Sequence, residues 1–427
     1  MLTVIIVLLL LLIGLSIPVA ASLGWLGLIM GEFYTPMPVH RAIGDIVWGH
    51  STEYLLVAIP MFVMLGEILL RSGVTTRMYD AMAKWLSWLP GGLMHSNIGA
   101  CALFAATSGS SVATAATIGT VAEPEMHKRG YNQPLFLGTV AAGGTLGILI
   151  PPSINLIVFG LLTNTSVSEL YLAGFIPGLL MALLFMATVA IACLLVPKWG
   201  GEKVRYSWSA RVASLVHLLP PVGIFLVVVG SIYTGWATPT EAASLGVVAA
   251  LALAAANRTL SIAMLQEAFR GTMRTTAIIM LIIIAAVFLN FVLTAIGLTA
   301  QLTEFITSLG LTPLGTLLLI IVFYVVLGCF METFSMLITT ATIITPIVVG
   351  LGYEAVWFGI LLMVLLETAL ITPPIGINLF VVQSIRSKGA MKDVMIGALP
   401  FVLSMFGLIA LLIAFPQLAL WLPSLFY

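Results

Sequence analysis

The sequence predicts an all-α polytopic membrane protein with inverted-topology repeats, each repeat carrying a re-entrant hairpin and a broken span. Three observations lead there. Of 427 residues 61% are hydrophobic and only 7% are charged, against about 25% charged in soluble domains. Two long apolar runs are each interrupted by a proline pair, at Pro151-Pro152-Ser153-Ile154-Asn155 and at Pro373-Pro374-Ile375-Gly376-Ile377-Asn378. A proline pair removes two backbone donors and pushes the preceding residue out of the helical region. In hydrocarbon such a break survives only where protein or an aqueous cavity receives the freed carbonyls. Finally, the order of basic loops gives the two halves opposite orientation.

The elements follow in order. About 20 apolar residues span a bilayer. Leu2–Met30 is too long for the core of a signal peptide and lacks a basic flank, so it reads as a retained span. With the following apolar run it makes up the N-terminal spans (1–74). Arg71/Arg77/Lys84, Lys128/Arg129, Lys198/Lys203/Arg205/Arg211, Arg258/Arg270/Arg274 and Arg386/Lys388/Lys392 mark the cytoplasmic side. Loops without Lys or Arg, at Thr163–Glu169, Tyr233–Thr240 and Leu351–Glu354, face outward.

Thr75–Leu89 then forms a cytoplasmic surface helix (75–90). Leu93–Val121, interrupted by Thr107-Ser108-Gly109-Ser110-Ser111, has basic flanks on both sides and must enter and return as a hairpin (91–122). The first broken span (133–163) completes a first repeat over 91–196. Central spans occupy 212–297, and Leu298–Leu309 gives an outward surface helix (298–312). The second repeat, 313–427, holds a hairpin opening from outside (313–350, interrupted near Gly328 and Met331-Glu332-Thr333) and a broken span (355–382). Ala116-Thr117-Ile118 against Ala341-Thr342-Ile343 is a faint echo of the same repeat.

Hairpin tips and breaks aim helix ends at the membrane middle. Helix N-termini favour anions, and C-terminal carbonyls can coordinate a cation. Ser108, Ser110, Ser111, Thr145, Thr368 and Thr372 add hydroxyls, while Gly109, Gly144, Gly147 and Gly328 allow close backbone approach. Without clustered carboxylates this oxygen set suits Na⁺ better than Ca²⁺ or Mg²⁺. Glu332 and Glu367 are intramembrane acids suited to carrying a proton or gating a hairpin, or to a structural hydrogen bond. Asn155 and Asn378 follow the breaks and are expected to satisfy stray backbone groups rather than touch substrate. Glu67 and Glu241, near span ends, read as structural anchors, and His95 as a boundary residue. The tryptophans near span ends read as an interfacial belt.

Gly144-Thr145-Leu146-Gly147-Ile148-Leu149-Ile150-Pro151-Pro152-Ser153-Ile154 resembles the signature of the large, DctM-type membrane subunit of tripartite ATP-independent periplasmic (TRAP) transporters. Thr107–Ser111, Thr238-Pro239-Thr240-Glu241-Ala242-Ala243 and Thr372-Pro373-Pro374-Ile375-Gly376-Ile377-Asn378 strengthen the resemblance, which covers essentially the whole chain. It implies an elevator-type secondary transporter in a bacterial inner membrane with Na⁺ as coupling ion and no other cofactor. The partners it implies are a small, DctQ-type membrane subunit and a periplasmic DctP-type substrate-binding protein; no fused small-subunit segment is expected. By motif, one cation site would use Thr107, Ser108, Gly109, Ser110, Ser111, Gly144, Thr145, Gly147 and Pro151. The other would use Gly328, Met331, Glu332, Thr333, Thr368, Thr372 and Pro374. Pro152, Ser153, Asn155, Gly376 and Asn378 would border the substrate, a small organic anion or zwitterion. The two surface helices would be arms joining a mobile part to a scaffold of the remaining spans.

Several classes are excluded or set back. There is no Gly-x-x-x-x-Gly-Lys-[Ser/Thr] phosphate loop. Cys101, Cys193 and Cys329 lack metal spacing and read as small core residues. Sixteen basic residues balance 16 acidic ones, so no nucleic acid partner is implied. A stand-alone elevator carrier for anions or dicarboxylates is the nearer alternative. A serine hydrolase using Ser108 or Ser110 with His95 or His217 is a remote one, and a passive channel is remoter still.

Overall fold

The computed structural model describes residues 2–15, 17–35, 38–202, 204, 206–298, 301, 304, 308, 310–386 and 388–426. Among the described residues all regular structure is helical, and six helices are long and apolar enough to cross a membrane.

The chain opens with α1 (Leu2–Gly14) and α2 (Val19–Tyr34). The stretch Leu2–Met30 is therefore two helices packed on each other rather than the one span expected. Pro18 sits at the N-cap of α2; it has no N–H to continue a helix and disfavours helical backbone at Ile17, which splits the run. After α3 (Ile43–Ser51) and α4 (Ala58–Arg71) comes α5 (Val74–Leu86), a helix within the stretch expected to form the first surface helix. Gly91 and Gly92, with φ of 108° and 49°, turn the chain from α5 into the first hairpin.

That hairpin is α6 (Leu93–Ser108) and α7 (Ser111–Lys128), followed by the broken pair α8 (Gln133–Thr145) and α9 (Ile154–Thr163) and by α10 (Val167–Leu195). Next come α11 (Trp208–Ser214), α12 (Leu219–Tyr233), α13 (Pro239–Ala256) and α14 (Ile262–Ala295). The segment Trp208–His217 meets α12 at 44°. Thr238 and Glu241 close a capping box on α13, the Thr238 amide and hydroxyl donating to the Glu241 carboxylate. Glu241 is thus the anchor expected of it. The second surface helix, expected over 298–312, lies largely outside the described residues, as do Lys203 and Arg205.

The second half runs α15 (Pro313–Gly328), α16 (Thr333–Gly350), α17 (Ala355–Ile371), α18 (Ile377–Ile385) and α19 (Met391–Ala414), then the short α20 (Gln417–Leu420). The order helix, turn, helix, broken pair, long helix thus occurs in both halves.

Two packed groups emerge. α2, α3, α4, α13 and α14 pack together, and α12 joins them through α13. Elsewhere α8 is the hub, touching α6, α7, α18 and α19, and every residue from Leu135 to Thr145 is buried. Gly138 and Gly397 make the α8–α19 crossing close: a Cβ at Gly138 would strike the Gly397 carbonyl, and one at Gly397 the Pro134 carbonyl. Small residues are the means by which helices approach in lipid, where tails are as apolar as leucine. The groups meet where α4 and α12 touch α6 and where α14 touches α16.

A polar chain ties α5 to this hub. Tyr79 Oη of α5 donates to Asn97 Oδ1 at 2.7 Å, and Asn97 Nδ2 donates to Thr139 Oγ1 of α8 at 2.9 Å. All three residues are buried. Tyr79→Phe leaves Asn97 Oδ1 without a donor and is expected to cost about 1–2 kcal/mol. Thermal unfolding in detergent checks this, and an unchanged midpoint would show that water replaces the hydroxyl.

Candidate functional site

The first hairpin turns at Gly109, whose φ of 60° ends α6. Ser110 caps α7, its Oγ accepting from the Ala113 amide at 3.4 Å. This tip lies directly on the first break. Ser111 Oγ donates to the Thr145 carbonyl at 3.2 Å. A Cβ on Gly147 would come within 2.8 Å of the Ser110 and Ser111 backbone, and one on Gly109 within 2.6 Å of the Pro152 carbonyl. Gly144 faces Ala115 of α7 and the Asn378 amide. Among the described residues the Pro152 carbonyl accepts no backbone hydrogen bond, so an oxygen without a donor points at the tip. Ser108 Oγ and Thr114 Oγ1 share a bond of 3.2 Å. Thr107 and Thr145 turn their hydroxyls to their own helices, onto the Phe104 and Ala142 carbonyls at 2.8 Å each.

The second tip is built differently. Glu332 is the N-cap of α16: Oε1 accepts from the Phe334 amide (3.0 Å) and Thr333 Oγ1 (3.1 Å), and Oε2 from the Ser335 amide (3.0 Å) and Ser335 Oγ (3.1 Å). A carboxylate at a helix N-terminus is favourable both as a cap and against the helix dipole. Gly328 seats against Ala369 of α17, where a Cβ would stand 2.6 Å from the alanine methyl. Met331 and Thr333 are buried beside them. Thr368 and Thr372 bond back to the Val364 and Thr368 carbonyls at 2.8 and 2.6 Å. Gly376 starts α18 with a φ of 42°. The residues Pro151 to Asn155 are all buried, whereas Pro374 and Ile375 are exposed, so the first break is enclosed and the second is open on one side.

The repeats meet at their breaks. Asn378 Nδ2 donates to the Ala141 carbonyl of α8 at 3.1 Å, a carbonyl inside a helix of the other repeat rather than one freed by a break. Glu367 is fully buried with the Leu149 backbone of the other repeat beside its carboxyl, and apart from that contact neither oxygen has a hydrogen-bond partner. Ser153 Oγ, Asn155 Nδ2 and Asn378 Oδ1 are buried and unpartnered as well. Buried polar atoms are nearly always satisfied, so these are positions with hydrogen-bonding capacity left over for an ion, water or ligand.

A cavity of 370 Å³ lies between the tips and the other packed group. The tips contribute Ser108, Gly109, Ser110, Ser111, Glu332 and Thr333, and the first break contributes Asn155. The remaining site residues expected from the sequence do not line it. Its far side comes from α4 and α14, through Val63, Gly66, Glu67, Thr275 and Ile279, which sequence reasoning missed as a cavity wall. Gly66 was the available signal: a glycine inside an apolar helix, where a Cβ would come within 3.2 Å of the Ser108 carbonyl. Glu67 is held by Arg71, which also reaches Glu267 at 3.4 Å. His95 starts α6 and Ser108 ends it, about 20 Å apart along the helix, so the structure does not bring them together; His95 Nε2 instead meets the Pro90 carbonyl at 2.7 Å. Among the described residues no group of three His, Cys, Asp or Glu could hold a metal ion.

This chain is similar to known membrane permeases. It is 33% identical over 404 residues to the C4-dicarboxylate TRAP transporter large permease protein DctM of Pseudomonas aeruginosa, covering 94% of each chain. With the sialic acid TRAP transporter large permease protein SiaM of Vibrio cholerae it shares 30% identity over 433 residues, 96% of this chain and 99% of that one. The ectoine/5-hydroxyectoine large permease protein UehC of Ruegeria pomeroyi is 31% identical over 374 residues, 87% of this chain and 86% of that one. Its fold is like that of the YdaH transporter of Alcanivorax borkumensis, at a TM-score of 0.58 and 14% identity over 94% of this chain and 98% of that one. The model of the tripartite ATP-independent periplasmic transporter DctM component matches residues 4–418, and with relatives of this identity the chain belongs to that family as a large permease subunit, not an enzyme.

Proposed function

We propose that this permease imports a small organic acid or zwitterion together with Na⁺ by an elevator movement across the inner membrane. The substrate would arrive on a periplasmic binding protein, and a small membrane subunit would complete the permease. The observation that carries this reading is the meeting of tip and break in each half, Ser111 on Thr145 and Gly328 on Ala369, with the cavity bounded by both tips. Carbonyls left free by a broken span and small hydroxyls around them are the oxygen chemistry of a monovalent cation. Cation binding at a tip–break seam would fasten each hairpin to its own broken span, so that both travel as one body. The wall of α4 and α14 would be the surface against which that body slides. The substrates named for the relatives, C4-dicarboxylates, sialic acid and ectoine, set the range of chemistry to screen.

The test is uptake into proteoliposomes holding this chain and its small subunit, with and without an inward Na⁺ gradient and with and without the binding protein. Uptake that needs both supports the reading. Uptake driven only by a proton gradient removes Na⁺ from it, and uptake without the binding protein favours the stand-alone carrier. Within that assay Ser110→Ala is expected to raise the Na⁺ concentration for half-maximal uptake several-fold. Loss of its cap on α7 costs about 1 kcal/mol, so the protein should still fold. Unchanged Na⁺ dependence takes Ser110 out of the site.

A further inference from the structure

We propose that the cavity selects substrates that carry one carboxylate and one cationic group, a zwitterion rather than a dicarboxylate; this rests on the reading of the cavity as the substrate site. The two tips offer unlike chemistry to a ligand. On the first-repeat side, the N-termini of α7 and α9 border the cavity through Ser111 and Ile154. Beside them Asn155, only 3% exposed, keeps Nδ2 without an acceptor. A helix N-terminus carries partial positive charge, and a buried amide donor without a partner is costly until an acceptor arrives. Together they fit a carboxylate oxygen.

On the second-repeat side the matching place is already filled. The carboxylate of Glu332 occupies the N-terminus of α16 as a resident anion, held by two backbone amides and two hydroxyls. Among the described residues no cation pairs with it. The other acid in the wall, Glu67, has Arg71 as its ion-pair partner. Among the described residues no Lys, Arg or His lines the cavity. A second carboxylate of a ligand would therefore meet Glu332 with no cationic side chain to compensate, and like charges brought together in a partly dry site are destabilising. An ammonium or amidinium group there would face an unpaired carboxylate instead. Thr333 and Ser335 can rotate their hydroxyls away, which leaves the amide bonds to hold Glu332 in place while the cation takes the vacated lone pairs. The first-repeat tip thus reads the acid that all substrates share, and Glu332 reads the sign of the other end.

The test is ligand-induced thermal stabilisation of the full chain, purified with its small subunit, using succinate, butyrate, 4-aminobutyrate and ectoine at varied Na⁺. The zwitterions are expected to bind at least about tenfold more tightly than succinate, with butyrate between. Glu332→Gln should remove that ranking by weakening the zwitterions and relieving succinate, and Glu332→Asp, which keeps both charge and cap, should retain it. Asn155→Leu should weaken all four ligands by a similar factor. Succinate ranking first, a ranking untouched by Glu332→Gln, or no stabilisation by any of the four overturns the proposal. Na⁺ titrated in the same experiment separates the two readings. A zwitterion preference without Na⁺ dependence removes Na⁺ coupling and leaves this proposal standing, while Na⁺-dependent binding led by succinate does the reverse.

Discussion

Gly147→Val is expected to abolish Na⁺-dependent uptake while the permease still reaches the membrane. The position is a close approach of backbone to backbone in the seam between first tip and first break. A Cβ there would stand 2.8 Å from the Ser110 carbonyl carbon and the Ser111 amide and 3.0 Å from the Ser110 carbonyl oxygen. All three are backbone atoms, so no side chain can rotate out of the way, and valine adds two methyls to the Cβ. Overpacking of this kind costs about 1–3 kcal/mol where neighbours can shift. Here the cheapest shift is to lift the hairpin tip off the break, which would pull Ser111 Oγ from the Thr145 carbonyl and open the oxygen set proposed for the cation. Since about 1.4 kcal/mol is tenfold in affinity, Na⁺ binding should weaken by at least that factor. Gly24→Val is the control, because nothing lies within 4 Å of a Cβ at Gly24; it should leave uptake and its Na⁺ dependence as they are. Normal Na⁺ dependence in Gly147→Val would sink the proposed first site.

What the sequence makes legible here is whatever is encoded locally. A proline pair cannot sit in the interior of a helix, so both breaks, and the glycine turn at Gly109, stand where the motifs put them. The same rule misleads when its weight is misjudged: Pro18 alone splits the N-terminal run, which the apolar character of Leu2–Met30 hides. Contacts between distant segments are not written in any window. Nothing around Asn378 announces that its amide reaches the Ala141 carbonyl of the other repeat, and nothing around Thr275 places it opposite Ser110 across a cavity. The repeat also overstates its own symmetry. Counting back from the proline pairs, Glu367 corresponds to Thr145 and Glu332 has only a serine tip as its counterpart, so the second half carries two acids where the first carries hydroxyls. Sequence motifs expose that difference, but only packing shows that Glu332 is spent on a helix cap while Glu367 has no partner apart from the Leu149 backbone.

Glu367→Met is expected to make the protein more stable and to make it transport less. The carboxyl is fully buried within α17, five residues before the second break, and the Leu149 backbone of the first break is the group beside it. Leaving polar atoms buried without hydrogen bonds costs about 1–3 kcal/mol relative to an apolar side chain of similar shape. Methionine fills nearly the same volume and adapts to irregular gaps, so the midpoint of thermal unfolding should rise by an amount of that order. A group kept at such a cost belongs to the class of intramembrane acids that act on ions or protons during a cycle, and residues that serve function rather than stability show this trade-off when replaced. Uptake should accordingly fall at least about tenfold, equivalent to 1.4 kcal/mol, and Glu367→Gln, which keeps the shape and the hydrogen-bonding capacity but not the exchangeable proton, separates the two ways it can act. Retained uptake in Glu367→Gln with a changed pH profile would mean that the carboxyl carries a proton alongside Na⁺. Uptake lost in Met but normal in Gln, at every pH, would mean that it positions the Leu149 turn of the first break from the second repeat, so that each cation seam senses the other. A fall in stability on Glu367→Met would contradict both, since it would show that the carboxyl is held by partners in the resting protein.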